Sequence, residues 1–221
     1  MQGNFRTGVI LLGANGIGKG RQAELLAKRG ATVVSTGELC RAIAKDPNSH
    51  IGKRLKAQAK HKLVDNDIIF ELLFQNTYVF EAVLEPSPDI ELTGVYVFDG
   101  VPRSIEQATW LDSYFEIDQV GISHLIVLHM TLPPEKLLAC VLERCKGRGR
   151  DDDDPVTVQR RLALWQQHEP ELLQYYAERP NTVMDTIVMS GEVADIALVL
   201  DERLKAGFAQ LRKDFEIALS Y

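Results

Sequence analysis

Cysteine is scarce in this chain: Cys40, Cys140 and Cys145 are the three among 221 residues. The count is odd and no Cys-x-x-Cys pair occurs. That excludes a disulfide framework and a zinc knuckle, and leaves ordinary thiols of a reducing compartment. Long apolar runs are missing too. The longest, such as residues 125–128 (LIVL), are strand-sized, against the ~18 residues of a membrane span. The first residues, MQGNFRTGVILLGANG, lack the apolar core and small-residue cleavage site of a secretory signal. A cytoplasmic chain with no membrane partner is expected. Nor is there a basic excess: 25 Lys and Arg face 31 Asp and Glu, a formal charge of −6. This argues against a nucleic-acid partner, while small arginine clusters can still bind phosphate. No internal repeat or low-complexity tract stands out. What is present is globular: 45% apolar and 25% charged residues, too apolar for a disordered chain. The length suits one domain, or two at most.

Short apolar runs alternate with longer helical patterns. The runs are residues 8–12 (GVILL), 31–35 (ATVVS), 95–98 (VYVF), 125–130 (LIVLHM) and 182–190 (TVMDTIVMS). Near-continuous apolarity is the mark of parallel strands buried on both faces, so the alternation predicts an α/β chain built from βαβ units. Helices are expected over 19–29, 38–45, 51–61 and 104–114. Another begins near Asn66, capped by Asp65, with Ile68, Ile69, Leu72, Leu73 and Val79 as one stripe. A helix opens at Pro133-Pro134 and carries Leu137, Leu138, Val141 and Leu142. Asp154-Pro155 pairs an N-cap with proline at the first helical position, and Pro170 should kink the helix that follows. The last helix starts at Glu192. Residues 85–91 (EPSPDIE) read as a loop, and 145–154 (CKGRGRDDDD) as a solvated connection suited to a mobile flap.

The segment Gly13-Ala14-Asn15-Gly16-Ile17-Gly18-Lys19 follows a strand and opens a helix. Glycines there let backbone N–H groups face phosphate oxygens. The helix N-terminus adds partial positive charge, and Lys19 reaches the terminal phosphates. Gly20 follows the lysine where many phosphate loops carry a Ser or Thr for Mg²⁺. The ion would then be held through water and the nucleotide, with Asp99, at a strand tip, as the anchor behind the water.

Several stretches, in order, resemble the adenylate kinase family of nucleoside monophosphate kinases. Residues 13–22 (GANGIGKGRQ) resemble its phosphate loop, and 35–41 (STGELCR) the stretch that holds the monophosphate. Lys62, Leu63 and Val64 resemble the segment along the monophosphate's adenine. Residues 99–107 (DGVPRSIEQ) resemble the family signature, 150–162 (RDDDDPVTVQRRL) the lid hinge, and 168–176 the tail of the long helix. The resemblance covers about residues 8 to 178. It implies a three-layer P-loop kinase fold with a five-stranded parallel sheet flanked by helices. One domain would span 1–221, with a monophosphate-binding helical subdomain at 37–83 and a short lid at 144–154.

The resemblance also implies roles. Gly16, Ile17, Gly18, Lys19, Gly20 and Arg21 would hold ATP, with Arg144 from the lid side. Thr36, Arg41, Lys62, Leu63, Val64, Gly100, Arg103 and Gln107 would hold AMP, joined by Arg150 and Arg161, and Gln107 would read the adenine edge. Lys19, Arg103, Arg144, Arg150 and Arg161 would be catalytic, and Asp152 and Asp153 would hold the lid arginines at the hinge. The implied reaction is Mg·ATP plus AMP giving two ADP. The stretch from Cys145 to Arg150 holds no four-ligand set of Cys, His or Asp with zinc spacing, so no structural zinc is expected, and a monomer is expected because nothing marks an exposed apolar face. The alternatives are a kinase for UMP, CMP or GMP, and a catalytically weak nucleotide-binding regulator. The sequence departs from the family at Arg21 (usually Thr), Cys140 (usually Arg), Val101 (usually aromatic) and in the longer connection over 76–94.

Overall fold

The computed structural model describes residues 6–58, 62–76, 92, 94–117, 120–146 and 154–218, the side chains of 144–146 and 215–218 excepted. Five strands, β1 (Arg6–Leu12), β2 (Thr32–Ser35), β3 (Val95–Asp99), β4 (Ile122–Thr131) and β5 (Thr182–Val188), form one sheet in the order β2-β3-β1-β4-β5. All four pairings are parallel. This is the α/β sheet that the apolar runs predict. Tyr96, Val97 and Phe98 of β3, Val9 and Ile10 of β1 and residues 125–128 of β4 have no exposed surface. Strands covered on both faces need apolar side chains in both directions, which is why they show no alternation.

The helices are α1 (Lys19–Ala27), α2 (Thr36–Lys45), α3 (His50–Ala57), α4 (Asn66–Gln75), α5 (Ile105–Phe115), α6 (Pro134–Lys146), α7 (Pro155–Glu178) and α8 (Val193–Ala218). Asp154 caps α7, its Oδ1 accepting from Thr157 N at 3.0 Å. Asp65 occupies the N-cap position of α4 but makes no capping hydrogen bond, so that expectation is right about the place and wrong about the bond. The α4 stripe of Ile68, Ile69, Leu72 and Leu73 is buried; Val79 and the loop at 85–91 lie outside the described residues. Helix α7 runs unbroken through Pro170. Ile51, Ile68 and Leu72 form a small second core among α2, α3 and α4, separate from the main core around the sheet.

Polar links tie α7 to its neighbours. His129 Nε2 on β4 donates to Glu169 Oε1 at 2.7 Å, which also accepts from Trp165 Nε1 at 3.1 Å. Near the other end, Asp112 of α5 accepts from Tyr175 Oη and from Arg179 Nε, the latter at 2.8 Å. Burial, and then donation to Asp112, push the Tyr175 hydroxyl up to about 12, against ~10 in an unfolded chain. Between those values the folded chain holds a proton that the unfolded chain has lost. The bond's contribution is therefore complete below ~10 and is lost as pH rises towards 12. Tyr175→Phe should be less stable than the parent at neutral pH, and its stability should fall less steeply over that alkaline span. Urea midpoints of both chains across the span check this, and parallel slopes would contradict it.

Candidate functional site

The site lies at the C-terminal edge of the sheet, where open parallel sheets bind ligands. Strand β1 ends at Leu12 and the chain turns through Gly13, Gly16 and Gly18, all at positive φ. At Gly13 the glycine is required twice over: φ is 145°, and a Cβ would lie 2.4 Å from the Met130 carbonyl oxygen of β4. Gly18 is the left-handed N-cap of α1, with no side-chain cap. The first turn of α1 thus presents backbone N–H groups and the positive end of its dipole to the loop. Lys19 is only 8% exposed, and its Nζ donates to the Gly13 and Ala14 carbonyls at 2.6 and 2.9 Å. The ammonium is therefore held inside the turn of the loop. Arg21 is exposed, with its guanidinium 2.9 Å from Glu24 Oε2.

Next to β1, strands β2 and β3 end in register, Ser35 opposite Asp99. Ser35 Oγ donates to Asp99 Oδ2 at 3.3 Å, and Thr36 Oγ1 donates to the Asp99 carbonyl at 3.4 Å. Beyond Asp99 the chain passes Gly100, where φ is +89° and a Cβ would stand 2.6 Å from Thr36 Oγ1. A side chain here would close the gap between the two strand ends. Arg103 folds back so that its Nε donates to the Gly100 carbonyl at 2.7 Å. Its backbone N–H donates to Gln107 Oε1 at 2.9 Å, while Gln107 Nε2 donates to Asn66 Oδ1 at 2.9 Å. Opposite partners thus fix which way the buried Gln107 amide points.

These pieces share one cavity of about 580 Å³, within the usual size range of ligand sites. Its wall includes Gly16, Gly18, Lys19, Gly20 and Arg21 from the loop and α1, then Thr36, Arg41, Leu63 and Val64. Asp99, Gly100, Arg103, Gln107 and Arg161 complete the part anticipated from the sequence. Ile17 is absent from the wall. It is 1% exposed and packs into the core, and its N–H is engaged by the Ala14 carbonyl at 3.3 Å. Lys62 is exposed and is not part of the wall. Cys140 packs against the main core and not on the cavity. The Arg144 side chain, Arg150, Asp152, Asp153 and most of the lid at 144–154 lie outside what is described.

Other lining residues are not among the site residues expected from the sequence. Met189, Val193 and Ile196 come from the corner between β5 and α8, and Ser35, Cys40 and Ile69 from the opposite side. Burial pushes the Cys40 thiol up, against the pull of Arg103 and Arg41, so it is a poor nucleophile. Trp165 lines a small recess next to the cavity together with Lys19, Arg103 and Arg161. Its place on α7, one turn after Arg161, is readable from the sequence; that it faces the site is not.

Among the described residues no group of three or more His, Cys, Asp or Glu side chains could hold a metal, and no helix is long and apolar enough to cross a membrane. The sequence model of the adenylate kinase family matches residues 11–181. Adenylate kinase of Hyphomonas neptunium is 33% identical over 199 residues, covering 89% of this chain and 97% of the relative. Adenylate kinase of Mycolicibacterium vanbaalenii is 34% identical over 176 residues, 79% of this chain and 88% of the relative. That of Mycobacterium tuberculosis is 35% identical over 191 residues, 86% and 96%. A glycine loop closed around a buried lysine at the edge of a five-stranded parallel sheet agrees with these matches, and the chain belongs to the adenylate kinase family, as a phosphotransferase enzyme.

Proposed function

We propose that the chain moves the terminal phosphoryl group of ATP reversibly onto AMP, giving two ADP. The observation that supports this reading is the continuity of the cavity. The phosphate loop with Lys19 forms one part of its wall, Thr36, Arg41, Arg103 and Gln107 another, and Arg161 of α7 lines the same space. An acceptor monophosphate brings its own anionic oxygen, so no general base is needed. The work is to align two polyanions and to absorb charge. Lys19 and the N-terminus of α1 suit the donor phosphates, while Arg41 and Arg103, with forked donors, suit the acceptor phosphate. The separate small core of α2, α3 and α4 fits a subdomain that carries the acceptor. The resemblance gives Arg144 and Arg150 the part of closing over the phosphates, with Asp152 and Asp153 at their hinge.

Gln107 supports adenine as the acceptor base. With Oε1 held by Arg103 N and Nε2 by Asn66, the amide has one N–H and one oxygen lone pair left. That donor–acceptor edge complements the 6-amino group and ring N1 of adenine, whereas a 6-oxopurine carries the two in reverse order and matches the edge only with the base turned over.

For Mg²⁺ the residues fit. Asp99 offers a carboxylate steadied by the Ser35 hydroxyl, and glycine at position 20 puts no side chain in front of it, since a Cβ there would lie 3.5 Å from Asp99 Oδ2. One carboxylate is what an ion needs when it keeps its waters and takes phosphate oxygens for the rest. Asp99 would hold it through water, and the ion would supply charge neutralisation at the phosphates.

³¹P NMR of the protein with Mg·ATP and, separately, AMP, UMP, CMP or GMP tests the reading. ADP forming with AMP alone, and ATP plus AMP forming from ADP, is expected. Turnover with a different monophosphate would overturn the acceptor assignment. Nucleotide binding without any turnover would overturn the reaction.

A further inference from the structure

The donor side of the cavity ends in a corner that the phosphate loop does not explain. There α1 meets the connection from β5 into α8. The ion pair of Arg29 with Asp201, at 2.7 Å, holds α8 against the end of α1. Met189, whose N–H donates to the Thr131 carbonyl at 2.8 Å, and Ile196 supply buried apolar wall. Into this corner α1 sends Gln22, three residues after Lys19 and so on the same side of the helix. Gln22 is 2% exposed and lines the cavity. Its Nε2 donates to the Val193 carbonyl at 3.4 Å, and its Oε1 is buried without a hydrogen-bond partner. Buried amide oxygens nearly always have a partner, and one that lacks it costs about 1–3 kcal/mol.

We infer that Gln22 is a specificity-determining residue for the phosphoryl donor, its Oε1 accepting a hydrogen bond from the exocyclic amino group of a 6-aminopurine triphosphate. The inference rests on the reading that the loop around Lys19 holds the donor's phosphates. The apolar wall then gives the base a surface to lie on, and the only buried polar atom there without a partner among the described residues is an acceptor. The Val193 carbonyl sets its direction. Turning the amide over to offer an N–H would bring Oε1 against that carbonyl, acceptor on acceptor. A 6-oxopurine, which presents an oxygen at the same position, therefore leaves two oxygens face to face whichever way the amide lies: its own against Oε1, or Oε1 against the Val193 carbonyl. Adenine presents a donor. A site built around a polar group rejects a ligand that leaves the group unpaired far more strongly than an apolar pocket rejects a missing methylene.

ATP and ITP differ at this edge of the base, and they are the probes. Dissociation constants of Mg·ATP and Mg·ITP, measured by calorimetry without acceptor, read the donor corner whether or not AMP is phosphorylated. A parallel assay of ADP formation from AMP tests the proposed reaction by itself. The parent should bind ATP about tenfold or more tightly than ITP. Gln22→Met keeps the length and loses the acceptor, and should bring the two within about twofold. Gln107→Met, which alters the acceptor side, should leave the ratio as in the parent. Purine riboside triphosphate, lacking the 6-amino group, should bind the unaltered protein more weakly than ATP, so the inference stands or falls even where a variant does not fold. Equal binding of ATP, ITP and the purine analogue by the parent, an undiminished ratio in Gln22→Met, or a ratio that moves only in Gln107→Met would each overturn it.

Discussion

Lys19→Ala should lower kcat by at least about a hundredfold, the scale of removing one preorganised donor from a site of developing charge. In the structure the ammonium is already in position, buried and hydrogen-bonded to the Gly13 and Ala14 carbonyls. It need only exchange one or both of these oxygens for phosphate oxygens. The same geometry predicts a second consequence. Alanine leaves two loop carbonyls without their donor, so the loop loses a brace inside its own turn. A loss of stability of about 1–3 kcal/mol is expected, visible as a lower urea midpoint with a folded baseline. The two effects separate by measurement. Turnover should stay collapsed at temperatures and urea concentrations where the variant is fully folded, and saturating ADP should restore stability without restoring rate. Near-parent kcat in a folded Lys19→Ala would remove the phosphate-loop assignment.

How much of this was legible beforehand depended on how local each signal is. The phosphate loop could be read from Gly13 to Lys19 because strand, turn and helix are adjacent in the chain and the chemistry is carried by that one stretch. The strands could be read because burial on both faces forces apolar runs, and residues 95–98 and 125–128 have hardly any other option. The ends of elements were less legible. β4 extends three residues earlier than its apolar run, to Ile122, because Ile122 and the polar His124 pair with Arg6 and Thr7 of β1, the register skipping Ser123 between them. Ile17 shows the limit of a motif: it stands inside the loop sequence, yet its side chain belongs to the core. The corner of Met189, Val193 and Ile196 shows the opposite. These are ordinary apolar residues of a strand end and a helix start, and only the sheet order, which sets β5 beside β4 and α8 against α1, carries them to the cavity. Gln22 had a motif around it but no signal of its own, because an unpaired amide oxygen is a fact of packing.

Arg103→Lys should cost as much in rate as removing an arginine finger, about a thousandfold in kcat, although it preserves the charge. The reason lies in how Arg103 is held. Its Nε is bound to the Gly100 carbonyl at 2.7 Å, and this bond aims the rest of the guanidinium along the cavity side of Gly100, where NH2 would stand 3.3 Å from a Cβ at that position. A guanidinium can spend one donor on aiming itself and keep its fork for phosphate oxygens; an ammonium has neither the fixed fork nor the reach. Lysine at 103 would either stay with the Gly100 carbonyl or leave it for phosphate. The backbone N–H of residue 103 is unaffected by the change, so Gln107 keeps its partner and the base edge stays set. The expectation is therefore asymmetric: kcat falls steeply, while the preference for AMP over GMP, measured as the ratio of kcat/KM values, stays near that of the parent. A Gln107→Ala variant should show the reverse, with the preference eroded and more of kcat retained. If Arg103→Lys instead erodes the preference and spares kcat, then Arg103 serves the base pocket through its backbone, and the charge at the transferring phosphoryl group must be absorbed elsewhere.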